Sequence, residues 1–571
     1  MTKYITLTLI ILICQQAISQ NTTYSYNNGQ VASKGALNRG KETGLWTYYD
    51  SLGVKLQETE FLNGVVNGKL SYFYPNGKIE NQGIFKNGIL HGKFFENYLN
   101  GNLKTAGYYK EGIKDSLWSY HDGNGKVNKE EMYFTDSVLL LNYWGKGGKQ
   151  LVSNGDGVFT TFYKNGQIEE TGPIKNGKAH GFWKRYYINS QMLSSGNYEN
   201  GIEVGKWVSH YKTGNLLSVV NHESGMNTRY YQNGQKEMEG LIRKTKKDSV
   251  WNYWYHDGKQ KMSIGFSAGI KNGTQINWFP NGQKSNEANF VDGKKQGKAI
   301  WWHEDGKIDM EGYFVNDMQN DLWTYWRTDG TKGNEGHYKN GVMDSVWTYW
   351  YGNHEVWKTG SYKNGERDGQ WIIYYENKNK FHEGSFTMGK ETGYWQRWFE
   401  NGQLELTGYF NEGQMDSIWH AMFENGEKNY TITYKNGFKN GTATFWYPEG
   451  TNRMIETYKK GILDGEHKTW RRNGSKIIEG NYSEGLNNGT WKYYNEYDRL
   501  MRIENYLNGK PHGTWQTYYK EGPLESETVY KNGLKNGTMK HLKIRGEVLY
   551  EASFKNNKLV KVKVDNRGKR Y

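Results

Sequence analysis

One pattern constrains this chain more than any other: equivalent positions recur at a fixed step of 24 residues. Counted from Gly181, the register falls on Gly44, Gly68, Gly92, Ser116, Gly157, Gly205, Asn227, Ser249, Gly273, Gly297, Asp321, Ser345, Gly369, Gly393, Ser417, Gly441, Gly465, Gly489, Gly513 and Gly537. From Ser249 to Gly537 the step is 24 residues twelve times in succession. A period of roughly 20–50 residues marks stacked supersecondary units, each too small to bury its apolar face alone. The 571 residues therefore read as one array of about 22 units, counting a shortened copy centred near Ser137.

The residue types around the register define the unit. Four places before it stands a glycine in 17 of the 21 copies, mostly as Asn-Gly: Gly64, Gly88, Gly177, Gly201, Gly341, Gly365, Gly437, Gly509 and Gly533 all follow Asn. Asn-Gly accommodates positive φ and is the strongest short hairpin signal. A second Asn-Gly or Asp-Gly falls nine places after the register, as at Asn76-Gly77, Asp257-Gly258 and Asn401-Gly402. Two turns per 24 residues predict two strands of about six residues each.

Trp stands two places after the register in twelve copies: Trp46, Trp118, Trp183, Trp207, Trp251, Trp323, Trp347, Trp371, Trp395, Trp419, Trp491 and Trp515. Seven places before it another aromatic recurs, including Phe61, Tyr198, Tyr338, Tyr362, Phe386 and Phe410. A symmetric connecting loop would set these two positions opposite each other as a ladder of aromatic pairs. A glycine nine places before the register, as at Gly172, Gly196, Gly336, Gly360, Gly408 and Gly480, leaves room for a neighbouring ring. With 72 Gly, 6 Pro and 16% aromatics, the composition fits turns and pleated sheet, and neither collagen nor a helical interior. The fold class expected is all-β, an elongated array of antiparallel hairpins in a single-sheet meander.

The pattern G-x-aromatic-x-N-G-x-x-x-G-x-W, typified by residues 196–214, resembles the MORN repeat in its bacterial variant form over essentially the whole mature chain. Some copies, such as those at Asn227, Gly273, Gly441 and Gly465, lack the Trp. The resemblance implies hairpins stacked into a meandering sheet. Some shorter relatives carry an antitoxin label, and an antitoxin-like role here would rest on that label alone.

Residues 1–19 read as a signal peptide: Lys3, an apolar run from Ile5 to Cys14, then Ala17-Ile18-Ser19 as cleavage site. Its removal leaves a mature chain from Gln20 without the single cysteine, which excludes disulfides and thiolate chemistry there. The remaining divisions are repeats at 20–116, an irregular shortened repeat at 117–156, repeats at 157–545, and a cap strand with basic tail at 546–571. Net charge is +14, spread over the chain except at the end. There Lys558, Lys561, Lys563, Arg567, Lys569 and Arg570 form a candidate contact for an acidic surface.

No catalytic, metal or cofactor residue is assigned, and no cofactor is expected. His91, His180 and His512 share one position before the register, so they repeat along the sheet and do not converge. Asp-Ser-Leu at Asp115 to Leu117 resembles an esterase block. Its Asp-Ser pair recurs at Asp248-Ser249, Asp344-Ser345 and Asp416-Ser417, always at the register, and reads as a turn variant. The reading is an exported, non-catalytic repeat scaffold that binds a protein partner at the cell envelope or outside the cell. The alternatives are glycan or envelope binding through repeated Trp and Tyr faces, and binding to acidic lipid. Nucleic acid is not expected as a partner, and no transmembrane segment follows the signal.

Overall fold

A computed structural model describes residues 20–568 and divides the chain into two compact units, 1–271 and 272–571. The expected signal peptide and the tail residues Lys569 and Arg570 lie outside the described residues. Among the described residues there are fifty strand segments and no helix. Within each unit the strands pair antiparallel in the order of the sequence, as all-β hairpin repeats require.

One repeat in the second half of the chain shows how the sequence builds the hairpin. Strands Lys332–Lys339 and Val342–Trp350 are joined by Asn340 and Gly341, both at positive φ (51° and 83°). This two-residue turn has the twist that antiparallel strands need, and asparagine and glycine tolerate it best. The next strand, Val356–Lys363, follows a five-residue loop. Strands are therefore eight and nine residues long, not six, because the register position lies inside a strand.

That position is a bulge. On one side Lys339 pairs with Val342, Tyr338 with Met343 and His337 with Asp344; the register then jumps, and Gly336 pairs with Trp347. Ser345 and Val346 are left over on that side, with Ser345 at φ 59°. On the other side the same residues pair without interruption, Ser345 with Tyr362 and Val346 with Ser361. A bulge of this kind sharpens local twist and re-aims side chains. It also corrects the turn reading of the Asp-Ser pairs: Ser116, Ser249, Ser345 and Ser417 are strand bulge residues at φ 58–59°.

The bulge also changes the aromatic pairing. Trp347 does not oppose Tyr338; its partners across both neighbouring strands are Gly336 and Gly360. The rings meet diagonally instead, edge to face, with Tyr338 and Trp347 centroids 5.1 Å apart at 90°. The ladder still runs on without a break, through Trp323, Tyr338, Trp347, Tyr362, Trp371, Phe386, Trp395, Phe410 and Trp419. Edge-to-face packing suits the ring quadrupole and adds to the area buried. This stripe of rings is the core.

Candidate interaction surface

The twelve predicted tryptophans face inward. Eleven are buried, Trp347 to 1% exposure, and Trp515 is half-buried. In each of those eleven a glycine eleven residues earlier lies beneath the indole, and a Cβ there would overlap the ring carbons. The indole N–H then donates to the carbonyl of the following residue, Trp347 to His337 at 3.1 Å and Trp371 to Ser361 at 3.0 Å. Trp395 departs from this and donates to Thr392. Burial removes these rings from any sugar-stacking face.

In several units without the Trp its partner changes too, although Phe94 still faces Gly83. Ile432 pairs with Ala443, Ala288 with Ala299, and Thr59 with Leu70. Each pair fills one slot in the layer, as close-packed interiors require. Two slots carry charge. Glu456 faces His467 at 3.5 Å, and His467 lies against Trp491 at 5.6 Å in the position a tryptophan would fill. Burial holds the His467 imidazole below its ordinary pKa, and the nearby Glu456 carboxylate opposes that shift. Glu504, opposite Trp491, is buried, accepts hydrogen bonds from Tyr493 (2.9 Å) and Tyr506 (2.8 Å) and forms an ion pair with Arg502 (2.9 Å).

The turns are stacked by hydrogen bonds between successive units. Turn glycines donate their N–H groups to the unit before: Gly341 to the Gln319 carbonyl and Gly437 to the Met415 carbonyl, at 2.8 and 2.9 Å. The residue before the register accepts from the next turn, Asp416 from the Asn436 N–H and Asn440 from the Lys460 N–H, both at 3.1 Å. His91 and His512 fill this acceptor role through Nδ1, from Glu111 and Asn532 at 3.3 Å. At the opposite end of the strands, Tyr351 donates to the Tyr374 carbonyl and Tyr375 to the Trp398 carbonyl, at 2.8 and 3.0 Å. Arg327 and Arg471 replace that tyrosine in their own units.

Three features remain open to a partner. The first is the turn edge, where Phe438, Ile462 and Leu486, each the first residue after a turn, stand 61%, 54% and 49% exposed in consecutive units. Gly461, Gly485 and Gly509 of the following turns lie beside these three side chains. Such contiguous apolar exposure marks interaction sites on soluble proteins.

The second feature is a motif that the 24-residue reading missed. Lys-x-x-Glu recurs at Lys236, Lys284, Lys332, Lys380 and Lys476, all multiples of 48 residues apart, with ion pairs of 2.5–2.8 Å. Each lysine also lies 5.5–5.8 Å from an aromatic ring, Trp254, Trp302, Trp350, Trp398 or Tyr494. The Glu335 carboxyl illustrates the electrostatics: burial raises its pKa, but bonds from Lys332 and Thr324 outweigh that and hold it below the ordinary range. A scan at twice the repeat length would have found this pattern.

The third feature is the basic end. Strand Lys558–Asp565 exposes Lys558, Lys561 and Lys563. Lys563 pairs with Glu551 at 3.0 Å and Arg567 with Asp565 at 2.8 Å, so part of the expected positive charge is already neutralised.

Acid–base side chains lie within the repeats. Lys114 sits 4.1 Å from the Trp118 ring and donates to Tyr120 at 2.9 Å, and burial lowers its pKa. Among the described residues no three His, Cys, Asp or Glu side chains converge as metal ligands, and no helix is long and apolar enough to cross a membrane.

Six segments match the MORN repeat variant family model: residues 66–87, 90–111, 155–176, 295–316, 391–412 and 511–532. No curated protein matches the sequence. Among solved structures, similarity extends to the Photorhabdus luminescens Tc holotoxin pore, at 10% identity over 95% of this chain and 29% of the other, with a TM-score of 0.14. The TcdB2-TccC3-TEV crystal structure aligns at 11% identity over 94% of this chain and 34% of the other, with a TM-score of 0.12. The chain thus spans about a third of the length of the chains it matches.

Proposed function

Because this chain is a MORN repeat protein of the variant type, we propose that it is an exported, non-catalytic scaffold whose turn edge binds a protein partner at the cell envelope or outside the cell. The observation that carries this reading is the exposed apolar row Phe438, Ile462 and Leu486, set in consecutive units by the stacked turns. Its spacing is fixed by the repeat, so it offers three evenly placed apolar contacts to one partner. The non-catalytic reading draws on the core, whose recurring tryptophans are spent on packing against glycine. Export rests on residues 1–19.

The test is a pull-down with the purified mature chain from the envelope fraction, at low and high salt. A protein captured at both salt concentrations supports the reading, because apolar contacts are little screened. Capture of anionic vesicles alone, abolished by salt, assigns the chain to acidic lipid instead.

A further inference from the structure

Every Asp-Ser dipeptide in the chain is followed by Leu, Val or Ile. The serines are Ser51, Ser116, Ser137, Ser249, Ser345 and Ser417. All six are exposed, as are the six aliphatic side chains after them. Four of these serines hold the bulge position at φ 58–59°, which glycine fills in most other units with less strain. Asp416 is explained by its bond from the next turn, the Asn436 N–H; the backbone gives no reason for the serine. The other two copies sit in different settings, Ser51 within a five-residue loop and Ser137 directly after a two-residue turn. No single backbone setting accounts for the tripeptide, which is consistent with recognition from outside the chain.

The hydroxyl geometry fits that role. Ser116 Oγ donates to the Asp115 carboxylate at 2.8 Å, Ser345 Oγ to Asp344 at 3.0 Å and Ser417 Oγ to Asp416 at 3.2 Å. At Ser249 the Asp248 carboxylate takes the serine backbone N–H and Arg243 instead.

We propose that the Asp-Ser-aliphatic tripeptides are acceptor sites for O-glycosylation by a separate glycosyltransferase that uses an activated glycosyl phosphate. The proposal rests on the export reading. Serine Oγ forms a bond to the anomeric carbon, the bond from that carbon to the phosphate oxygen breaks, and the phosphate leaves with the electron pair. The hydroxyl proton passes to the aspartate carboxylate and then to solvent. A neutral group is favoured over phosphate, which would set two further negative charges against the carboxylate that holds the hydroxyl. The exposed Leu, Val or Ile gives the C–H face of a sugar ring an apolar contact.

The experiment is peptide mass mapping of the chain purified from its own cells, together with its N-terminus. Hexose-type mass increments on the peptides carrying Ser116, Ser345 and Ser417 are expected, with none on serines that lack the preceding aspartate. Ser345→Gly, which restores the residue other units use, should remove the increment at that site and leave the fold intact. Asp344→Asn, which keeps an acceptor as Asn320 and Asn440 do in their units, should remove it as well. An increment cleaved by phosphatase, or increments spread over serines regardless of context, overturns the proposal. Unmodified serines on a chain trimmed after Ser19 overturn it while export stands. Unmodified serines on an untrimmed chain overturn both.

Discussion

Gly336 and Trp347 are directly opposed in adjacent strands, and the indole lies where a Cβ on residue 336 would have to go. The same relation joins Gly360 to Trp371 and Gly408 to Trp419, so the missing side chain is part of the core's volume.

Gly336→Ala is therefore expected to destabilise the chain by at least about 2 kcal/mol, as overpacking does in a filled layer. Gly336→Ile combined with Trp347→Ala, which copies the Ile432–Ala443 pair, should recover much of that loss. Denaturant unfolding of the singles and the double gives the coupling; additive losses would show that the slot does not work as a pair.

His467 makes one region sensitive to acid. Burial lowers the folded-state pKa of its imidazole, so below the unfolded value of about 6.5 the unfolded chain binds more protons than the folded one. Stability is full above that pH and is lost as the pH falls through the folded value. His382, held low by burial and by Arg397, adds to the same trend. Melting temperatures at about pH 7.5 and 5.5 should differ less in Glu456→Gly/His467→Trp than in the parent. An equal difference would place the acid sensitivity elsewhere.

Removing a bond between units should weaken the junction and leave each hairpin intact. Tyr351→Phe deletes the hydrogen bond to the Tyr374 carbonyl and should cost about 1 kcal/mol. Hydrogen exchange should show the loss around Tyr351 and Tyr374, because stability in a repeat array is a sum of neighbour terms. A uniform loss along the chain would contradict that.

Alanine at Ser116 or Ser249 should change stability by about 1 kcal/mol or less and leave partner binding intact, since both are exposed bulge residues. Selective loss of a measured turnover in either variant would show that the chain is an enzyme.

The turns, the two strands per unit and the inward glycine were legible because each is local, fixed by Asn-Gly chemistry or by a 24-residue recurrence. The ring pairing was not. It assumed a symmetric loop, whereas the turn at Asn340-Gly341 and the bulge at Ser345-Val346 shift Trp347 from Tyr338 onto Gly336. A two-residue bulge has no signal beyond the glycine or serine that tolerates positive φ, and that residue reads equally well as a turn. The Lys-x-x-Glu row escaped for a different reason: its period spans two units.

The turn edge is the surface on which the functional account depends, and one variant addresses it directly. Phe438→Ser/Ile462→Ser removes two exposed side chains from consecutive turns and leaves the buried aromatic ladder untouched. Capture of protein from the envelope fraction by this variant should fall at least tenfold against the parent chain, with unfolding curves of the two superimposable. Undiminished capture by a folded variant would contradict the account and move the binding surface off the turn edge.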